Sequence, residues 1–290
     1  MSKRMSMQRL PLWLTDKTEI RQAVLEAKRK GQRVGLIPTM GNLHAGHQSL
    51  IRQARSETDF VVATIFVNPI QFVQGEDFDS YPRTPGEDRV LCGEAGADVV
   101  FAPEVPLMYP EGFCTRVQVT GIEEPLCGHH RPGHFVGVAT VIVKLFNLVP
   151  ADVAYFGLKD FQQAKLISRL TLDLDIPMEI RLCETVREPD GLAMSSRNRY
   201  LSPTERSQAT VLKRSLDIAE RLVRGGERDP ETVRRKLVDL ITLESSGRID
   251  YVELVDPETF QTPRALELPV LVALAVRFGK ARLIDNTLIA

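Results

Sequence analysis

Apolar residues in the N-terminal part of the chain alternate between two patterns. Short runs rich in Val, Ile and Phe occur at 34–37, 60–67, 98–101, 152–156 and 179–183, as expected for strands buried in a parallel sheet. Between them the apolar positions recur at helical spacing. Ile20, Val24 and Ala27 share one face of a helix that Asp16 and Glu19 begin, in the manner of a capping box, and that Gly31 ends. Further helices are expected over 48–56, 86–95, from 135 through 149, and from 161 to about 172. Residues 115–120 alternate and predict an edge strand. This β–α alternation implies an α/β fold with a Rossmann-like parallel sheet.

The pattern changes after Glu188. Ser202-Pro203-Thr204-Glu205 is a capping box with Pro at the first helical position, predicting a helix to about Arg224, where Gly225-Gly226 breaks it. Asp229-Pro230 opens another helix, with Val233, Leu237, Leu240 and Ile241 on one face. Strands at 249–255, 270–276 and 281–284 complete a smaller α+β unit. The expected division is a Rossmann-like domain over 1–187 and an α+β domain over 188–290.

Composition narrows the class. Apolar residues are 43% and charged residues 26%, ordinary for a globular protein. A formal net charge of −1 supplies no global positive field, so nucleic acid is not an expected partner. No run approaches the ~20 apolar residues of a membrane span. The apolar residues at 10–14 are too few for a signal-peptide core, and Met1 to Gln8 form a polar extension. Cys92, Cys114, Cys127 and Cys183 form no CxxC pair, so buried reduced thiols and a cytoplasmic location are expected.

Against this background one stretch stands out: Pro38-Thr39-Met40-Gly41-Asn42-Leu43-His44-Ala45-Gly46-His47. It joins a strand to a helix. Unpaired N–H groups and a partial positive charge at a helix N-terminus suit phosphate. Gly41 and Gly46 permit conformations or approaches that a Cβ would block. His44 and His47, three residues apart, can face one ligand from the first turn. A plain structural turn accounts for the same spacing equally well.

Other segments fall where ligands gather in open α/β sheets, beyond the carboxyl ends of strands. Asn68 and Gln71 follow the second run, and Lys159, Asp160 and Gln163 follow the fourth. The polar stretch 75–85, containing Tyr81, reads as a lid or as a surface excursion. His129, His130 and His134 lack carboxylate or thiolate partners at ligand spacing, so a structural or substrate-facing loop is expected there, not a zinc site. Ser195-Ser196-Arg197 combines hydroxyl donors with a guanidinium, a combination suited to gripping an anion.

Taken in series, these stretches closely resemble the pantothenate synthetase (pantoate–β-alanine ligase) family over nearly the whole chain. The residues that carry the resemblance are Pro38–Gly41 with His44 and Gly46-His47, Phe66-Val67-Asn68-Pro69 with Gln71-Phe72, and Tyr81-Pro82-Arg83-Thr84. Lys159-Asp160-Phe161-Gln162-Gln163, Met194-Ser195-Ser196-Arg197-Asn198 and Arg282-Leu283-Ile284-Asp285-Asn286 complete the set. Leu158 stands where the family commonly has Glu, and Phe161 where Tyr is frequent, which puts the local polar network in question.

The resemblance implies an ATP-dependent ligase that condenses pantoate with β-alanine through a pantoyl-adenylate, releasing AMP and pyrophosphate. It implies ATP contacts from Met40, Gly41, Asn42, Leu43, His44, Ala45, Gly46 and His47. Gly157, Leu158, Lys159, Asp160, Val186, Met194, Ser195, Ser196 and Arg197 are implied as further nucleotide contacts. Catalytic roles fall on His44, His47, Lys159, Ser195, Ser196 and Arg197. Pantoate is assigned to Gln71 and Gln163, with Asn68, Arg131 and Tyr81 also substrate-facing. Mg²⁺ is expected to bridge the phosphates, with Asp88 as the protein carboxylate nearest it, and the enzyme is expected to be a homodimer. Two other readings share the His-x-Gly-His turn: a nucleotidylyltransferase, which would release no AMP, and a non-catalytic nucleotide-binding protein, which would not require the full set of charged residues.

Overall fold

The computed structural model describes residues 10–290; the extension expected over 1–8 lies outside them. In chain order the elements begin β1 (Leu12–Leu14), α1 (Lys17–Arg29), β2 (Val34–Thr39), α2 (Ala45–Glu57) and β3 (Phe60–Ile65). Next come α3 (Pro85–Ala95), β4 (Val99–Phe101), α4 (Val105–Met108), α5 (Cys127–His130), α6 (His134–Leu148) and β5 (Val153–Gly157). The chain continues through α7 (Phe161–Asp173), β6 (Glu179–Cys183), α8 (Pro203–Gln208), α9 (Val211–Arg224) and α10 (Pro230–Glu244). Strands β7 (Arg248–Val255), β8 (Val270–Phe278) and β9 (Ala281–Ile289) end it.

Contacts divide the chain into two compact units. The first runs through Gln118 and adds Val136–Phe156 and Ile167–Cys183; the second comprises Val119–Phe135, Gly157–Leu166 and Glu184–Ala290. Residues 188–290 therefore share their unit with two segments from earlier in the chain.

In the first unit, six strands form one sheet in the order β1-β4-β3-β2-β5-β6, and β2 pairs in parallel with both β3 and β5. The chain winds outward from β2 through β3 and β4, then returns to lay β5 on the other side of β2. Such a reversal opens a crevice at the carboxyl end of the strands, and β2 ends there at Thr39. Ile37, Ile51, Val61, Val100 and Tyr155 are wholly buried in the core that fixes this geometry. Strand β1 was not anticipated: Leu12–Leu14 pairs in parallel with Val99–Phe101 at the sheet edge.

The second unit carries a three-stranded antiparallel sheet, β7-β8-β9, against which α9 and α10 pack. Leu212, Leu216, Ala219 and Val223 on α9, and Val233, Leu237 and Ile241 on α10, are buried at the expected helical spacing.

Three expectations need correction. Residues 115–120 form no strand; Val117 N–H donates to the Thr140 hydroxyl (3.0 Å) and Val119 N–H to the Glu123 carboxylate (3.4 Å), so side chains satisfy backbone that a ladder would have paired. The helix expected over 203–224 is two helices. Leu212 N–H bonds to Ala209 O and the Thr210 hydroxyl to Ser207 O, both three residues back, which tightens the chain where α8 gives way to α9. Of the four cysteines only Cys92 and Cys127 are buried, while Cys114 is exposed. Burial, with the Asp88 charge nearby, pushes the Cys92 thiol up to about 12, so it remains protonated.

Candidate active site

The turn after β2 is built in two steps. Gly41 at φ +81° and Asn42 at φ +51° are consecutive left-handed residues, reversing the chain within two positions. His44 then caps α2. Its Nδ1 accepts Gly46 N–H at 3.1 Å, and His47 Nδ1 accepts His44 N–H at 3.3 Å, a reciprocal capping box made of two imidazoles. The rings lie 4.1 Å apart, centroid to centroid. Because each Nδ1 accepts a backbone proton, each neutral ring carries its own proton on Nε2. The turn therefore combines two imidazole N–H donors with the N-terminus of a 13-residue helix. Asn42 is 2% exposed, and its side-chain amide has no hydrogen-bond partner among the described residues.

Gln71 lies in a one-turn 3₁₀ segment after β3, 8% exposed. Its Nε2 donates to Met40 Sδ (3.1 Å), joining it to the nucleotide turn. Asn68 donates through Nδ2 to Gln71 Oε1 (3.0 Å) and to Gly137 O (3.1 Å), and its Oδ1 accepts from the Tyr109 hydroxyl (2.7 Å). Asn68 is 1% exposed with its polar atoms engaged internally. Through these bonds it orients the Gln71 amide. Gly137 is needed here for contact: a Cβ would lie 2.2 Å from Ile70 O. Tyr81 is likewise buried, edge-on against Phe72 with centroids 5.9 Å apart, and Arg83 bonds to its carbonyl. The 75–85 segment is thus tied to the Phe72 ring cluster.

Asp88, the carboxylate expected nearest Mg²⁺, is engaged by the turn itself. It sits in the first turn of α3, 1% exposed, with Oδ1 accepting Leu43 N–H (2.8 Å) and Oδ2 accepting Asn42 N–H (3.0 Å). Burial raises its carboxyl above the usual range, and these N–H bonds offset that only in part. Each oxygen thus has one lone pair committed to the backbone of the turn, which fixes the orientation of the carboxylate. Among the described residues, no group of three or more His, Cys, Asp or Glu side chains is arranged to hold a metal ion.

In the second unit, Leu158–Asp160 forms a 3₁₀ turn leading directly into α7. Asn286 on β9 donates through Nδ2 to both Leu158 O (3.0 Å) and Lys159 O (2.8 Å). The position that usually carries Glu contributes here through its carbonyl. Gln163 is half-buried beside Gln162, whose amide bonds to Ile122 O, Pro125 O and Cys127 N. Gln162 thereby holds the 122–127 segment, a task that the residue pattern alone did not disclose. Arg131 Nη1 meets His134 Nε2 at 2.9 Å, tying these two together at the start of α6.

The anion-clamp loop is closed at its base, where Met194 N–H bonds to Val186 O and Glu188 N–H to Leu192 O. Arg187 grips the buried Asp285 carboxylate bidentately (2.7 and 3.0 Å). Ser195 caps a short 3₁₀ helix, its hydroxyl accepting Arg197 N–H at 3.2 Å, so the chain's own bonds hold the Ser195-Ser196-Arg197 backbone. Asn198 braces the loop through Glu188 and Ala193 O.

Comparisons with known proteins agree over nearly the whole chain. The pantoate-β-alanine ligase family model matches residues 13–288. Pantothenate synthetase of Acetivibrio thermocellus is 50% identical over 272 residues, spanning 94% of this chain and 97% of that protein. That of Heliobacterium modesticaldum is 52% identical over 264 residues, 91% of this chain and 94% of the relative. The crystal structure of pantothenate synthetase from Thermus thermophilus superposes with a TM-score of 0.90 at 44% identity, covering 95% of this chain and 98% of the other. A pantoate-β-alanine ligase from Francisella tularensis, crystallised with an ATP ligand and β-alanine, gives a TM-score of 0.80 at 33% identity over 96% and 97% of the chains. The chain belongs to the pantoate-β-alanine ligase family.

Proposed function

We propose that this enzyme condenses (R)-pantoate with β-alanine at the expense of ATP, making pantothenate for coenzyme A biosynthesis and releasing AMP and diphosphate. The observation that carries the reading is the paired imidazole cap on α2, which puts two N–H donors at a helix N-terminus. In the first step a pantoate carboxylate oxygen bonds to the α-phosphorus of ATP and the bond to the diphosphate oxygen breaks. In the second, the β-alanine amine attacks the acyl carbon, the acyl–O bond to AMP breaks, and the amine gives up its proton. Both steps gather negative charge around the α-phosphate, and preorganised donors stabilise that charge without moving.

In this scheme Met40–His47 receive the phosphates, and the buried amide of Asn42 is available to the nucleotide. His44 and His47 donate from Nε2, Lys159 adds a point charge, and Ser195, Ser196 and Arg197 grip the phosphates. Gly157, Leu158 and Asp160, with Val186 and Met194, line the nucleotide through backbone and side chain. Gln71 and Gln163, each able to donate and accept, read the hydroxyls and carboxylate of pantoate. Asn68 acts through Gln71, while Arg131 is assigned to the acid substrate. The 75–85 segment with Tyr81 excludes water, since an acyl adenylate would otherwise hydrolyse. Residues 1–187 supply the ATP and pantoate sites and residues 188–290 the lid domain. Mg²⁺ would enter with ATP and neutralise phosphate charge, with Asp88 the nearest protein carboxylate. A homodimer, resting on the family resemblance, and a cytoplasmic location, resting on composition, complete the proposal.

Pantoate-dependent exchange of labelled pyrophosphate into ATP tests the first step, and AMP release that further requires β-alanine tests the second. Exchange without pantoate, or none with it in folded protein, would overturn the reading.

A further inference from the structure

We propose that Asp88 is the positioning residue of the nucleotide turn. Its carboxylate fixes the Asn42–Leu43 backbone, and so sets the angle at which His44 and the N-terminus of α2 meet the α-phosphate. The proposal rests on the ATP reading of that turn and adds to it a residue 41 positions beyond His47, on a different helix.

The turn needs such a partner. Gly41 and Asn42 both have positive φ, and this reversal leaves the N–H groups of Asn42 and Leu43 outside any helix or strand ladder, where an anion can accept both. Asp88 supplies that anion from within the chain, one oxygen to Asn42 N–H and the other to Leu43 N–H. Two donors need two acceptors, which a carboxylate has and an amide lacks. The fit is close: a Cβ on Gly41 would stand 3.0 Å from both Asp88 Oδ2 and Ile65 Cγ2. Asp88 is in turn held by α3, its N–H bonded to Thr84 O (2.8 Å) and its carboxylate to the Thr84 side chain. The next residue after the gripped pair is His44, the cap of α2. A misplacement of ~1 Å at a reacting group can cost on the order of 100-fold in rate, so this grip bears directly on catalysis.

A metal ligand and a positioning residue predict different behaviour. In Asp88→Asn, one backbone N–H faces an amide NH₂. Pantoate-dependent pyrophosphate exchange should fall by about 100-fold in kcat, with the Mg²⁺ concentration for half-maximal rate unchanged. Amide hydrogen exchange at Asn42 and Leu43 should accelerate in the same variant, measured without ATP. Thr84→Val, which removes only the hydroxyl behind Asp88, should show the same two effects in milder form and serves if Asp88→Asn does not fold. Recovery of the rate at high Mg²⁺ would make Asp88 a metal ligand, and wild-type exchange kinetics in both variants would leave the turn independent of it. Either result overturns the proposal. Failure of the wild-type enzyme to exchange pyrophosphate would instead overturn the functional reading, and the amide measurements would still decide the role of Asp88.

Discussion

His47 Nδ1 accepts the backbone N–H of His44 at 3.3 Å, so one catalytic candidate holds the peptide from which the other projects. The bond requires an unprotonated Nδ1. Both imidazoles should therefore appear as Nε2–H tautomers in ¹⁵N NMR spectra at pH 8. Protonation converts each acceptor into a donor facing an N–H, which breaks the box. His47→Ala should lose about 10²–10³ in single-turnover adenylation rate, the usual cost of one preorganised donor. Its stability should fall by only about 1 kcal/mol, as for a lost cap. A rate near wild type in that variant would leave the pair a structural cap.

The second unit holds a charge network whose pH dependence can be assigned a sign. Asp250 accepts from Arg282 Nε (2.8 Å) and Arg277 Nε (3.0 Å). Burial pushes its carboxyl up, but the two guanidinium groups outweigh that and hold it below the ordinary value. A depressed folded-state value stabilises the fold above the unfolded-state titration, and that stability disappears as pH falls through the folded one. Asp250→Asn should cost roughly 3–5 kcal/mol at pH 7, because it leaves the Arg282 guanidinium buried without its carboxylate. The penalty should narrow below pH 4. Urea unfolding at pH 7 and pH 3 checks both statements.

Much of this architecture was legible in the residues because it depends on local pattern. The parallel sheet could be read from β-branched runs such as 60–65, and the Ser202/Glu205 capping box formed as written. What escaped were partnerships across the chain. Leu12–Leu14 becomes a strand only because β4 offers an edge, and residues 115–120 fail to become one because Thr140 and Glu123 satisfy their backbone. The site divides in the same way. The His44/His47 turn is contiguous and was recognisable. The tasks of Asp88, Asn68 and Gln162 depend on which backbone groups lie opposite them in space, and residue spacing does not encode that.

Asn286 offers a test in which the chemistry and its support are far apart in sequence. Its Nδ2 bonds to two successive carbonyls, those of Leu158 and Lys159, and so fixes the 3₁₀ turn bearing Lys159. Asn286→Ala removes both bonds and touches no assigned ligand group. Adenylation kcat should fall about tenfold, the equivalent of ~1.4 kcal/mol, while the KM for β-alanine stays within twofold. Asn286→Asp, which cannot donate to either carbonyl, should be no better. Steady-state kinetics of both variants would show whether the turn needs this anchor.

Gln71 depends on a longer chain of bonds, and its links can be removed one at a time. The Tyr109 hydroxyl donates to Asn68 Oδ1, and Asn68 Nδ2 donates to Gln71 Oε1. With Oε1 accepting from Asn68, the Gln71 amide is oriented with its NH₂ on the Met40 side. Tyr109→Phe removes the outer link but keeps the ring, which packs beside Phe66 and Phe113. It should cost about 1 kcal/mol, the worth of one hydrogen bond, seen as a fivefold rise in KM for pantoate. Asn68→Ala frees Gln71 to rotate and leaves the Tyr109 hydroxyl without its acceptor. The KM for pantoate should then rise by 10-fold or more, with the KM for ATP little changed. The double variant should be scarcely worse than Asn68→Ala, because Tyr109 acts only through Asn68; additive losses in the mutant cycle would show the tyrosine to have a separate role.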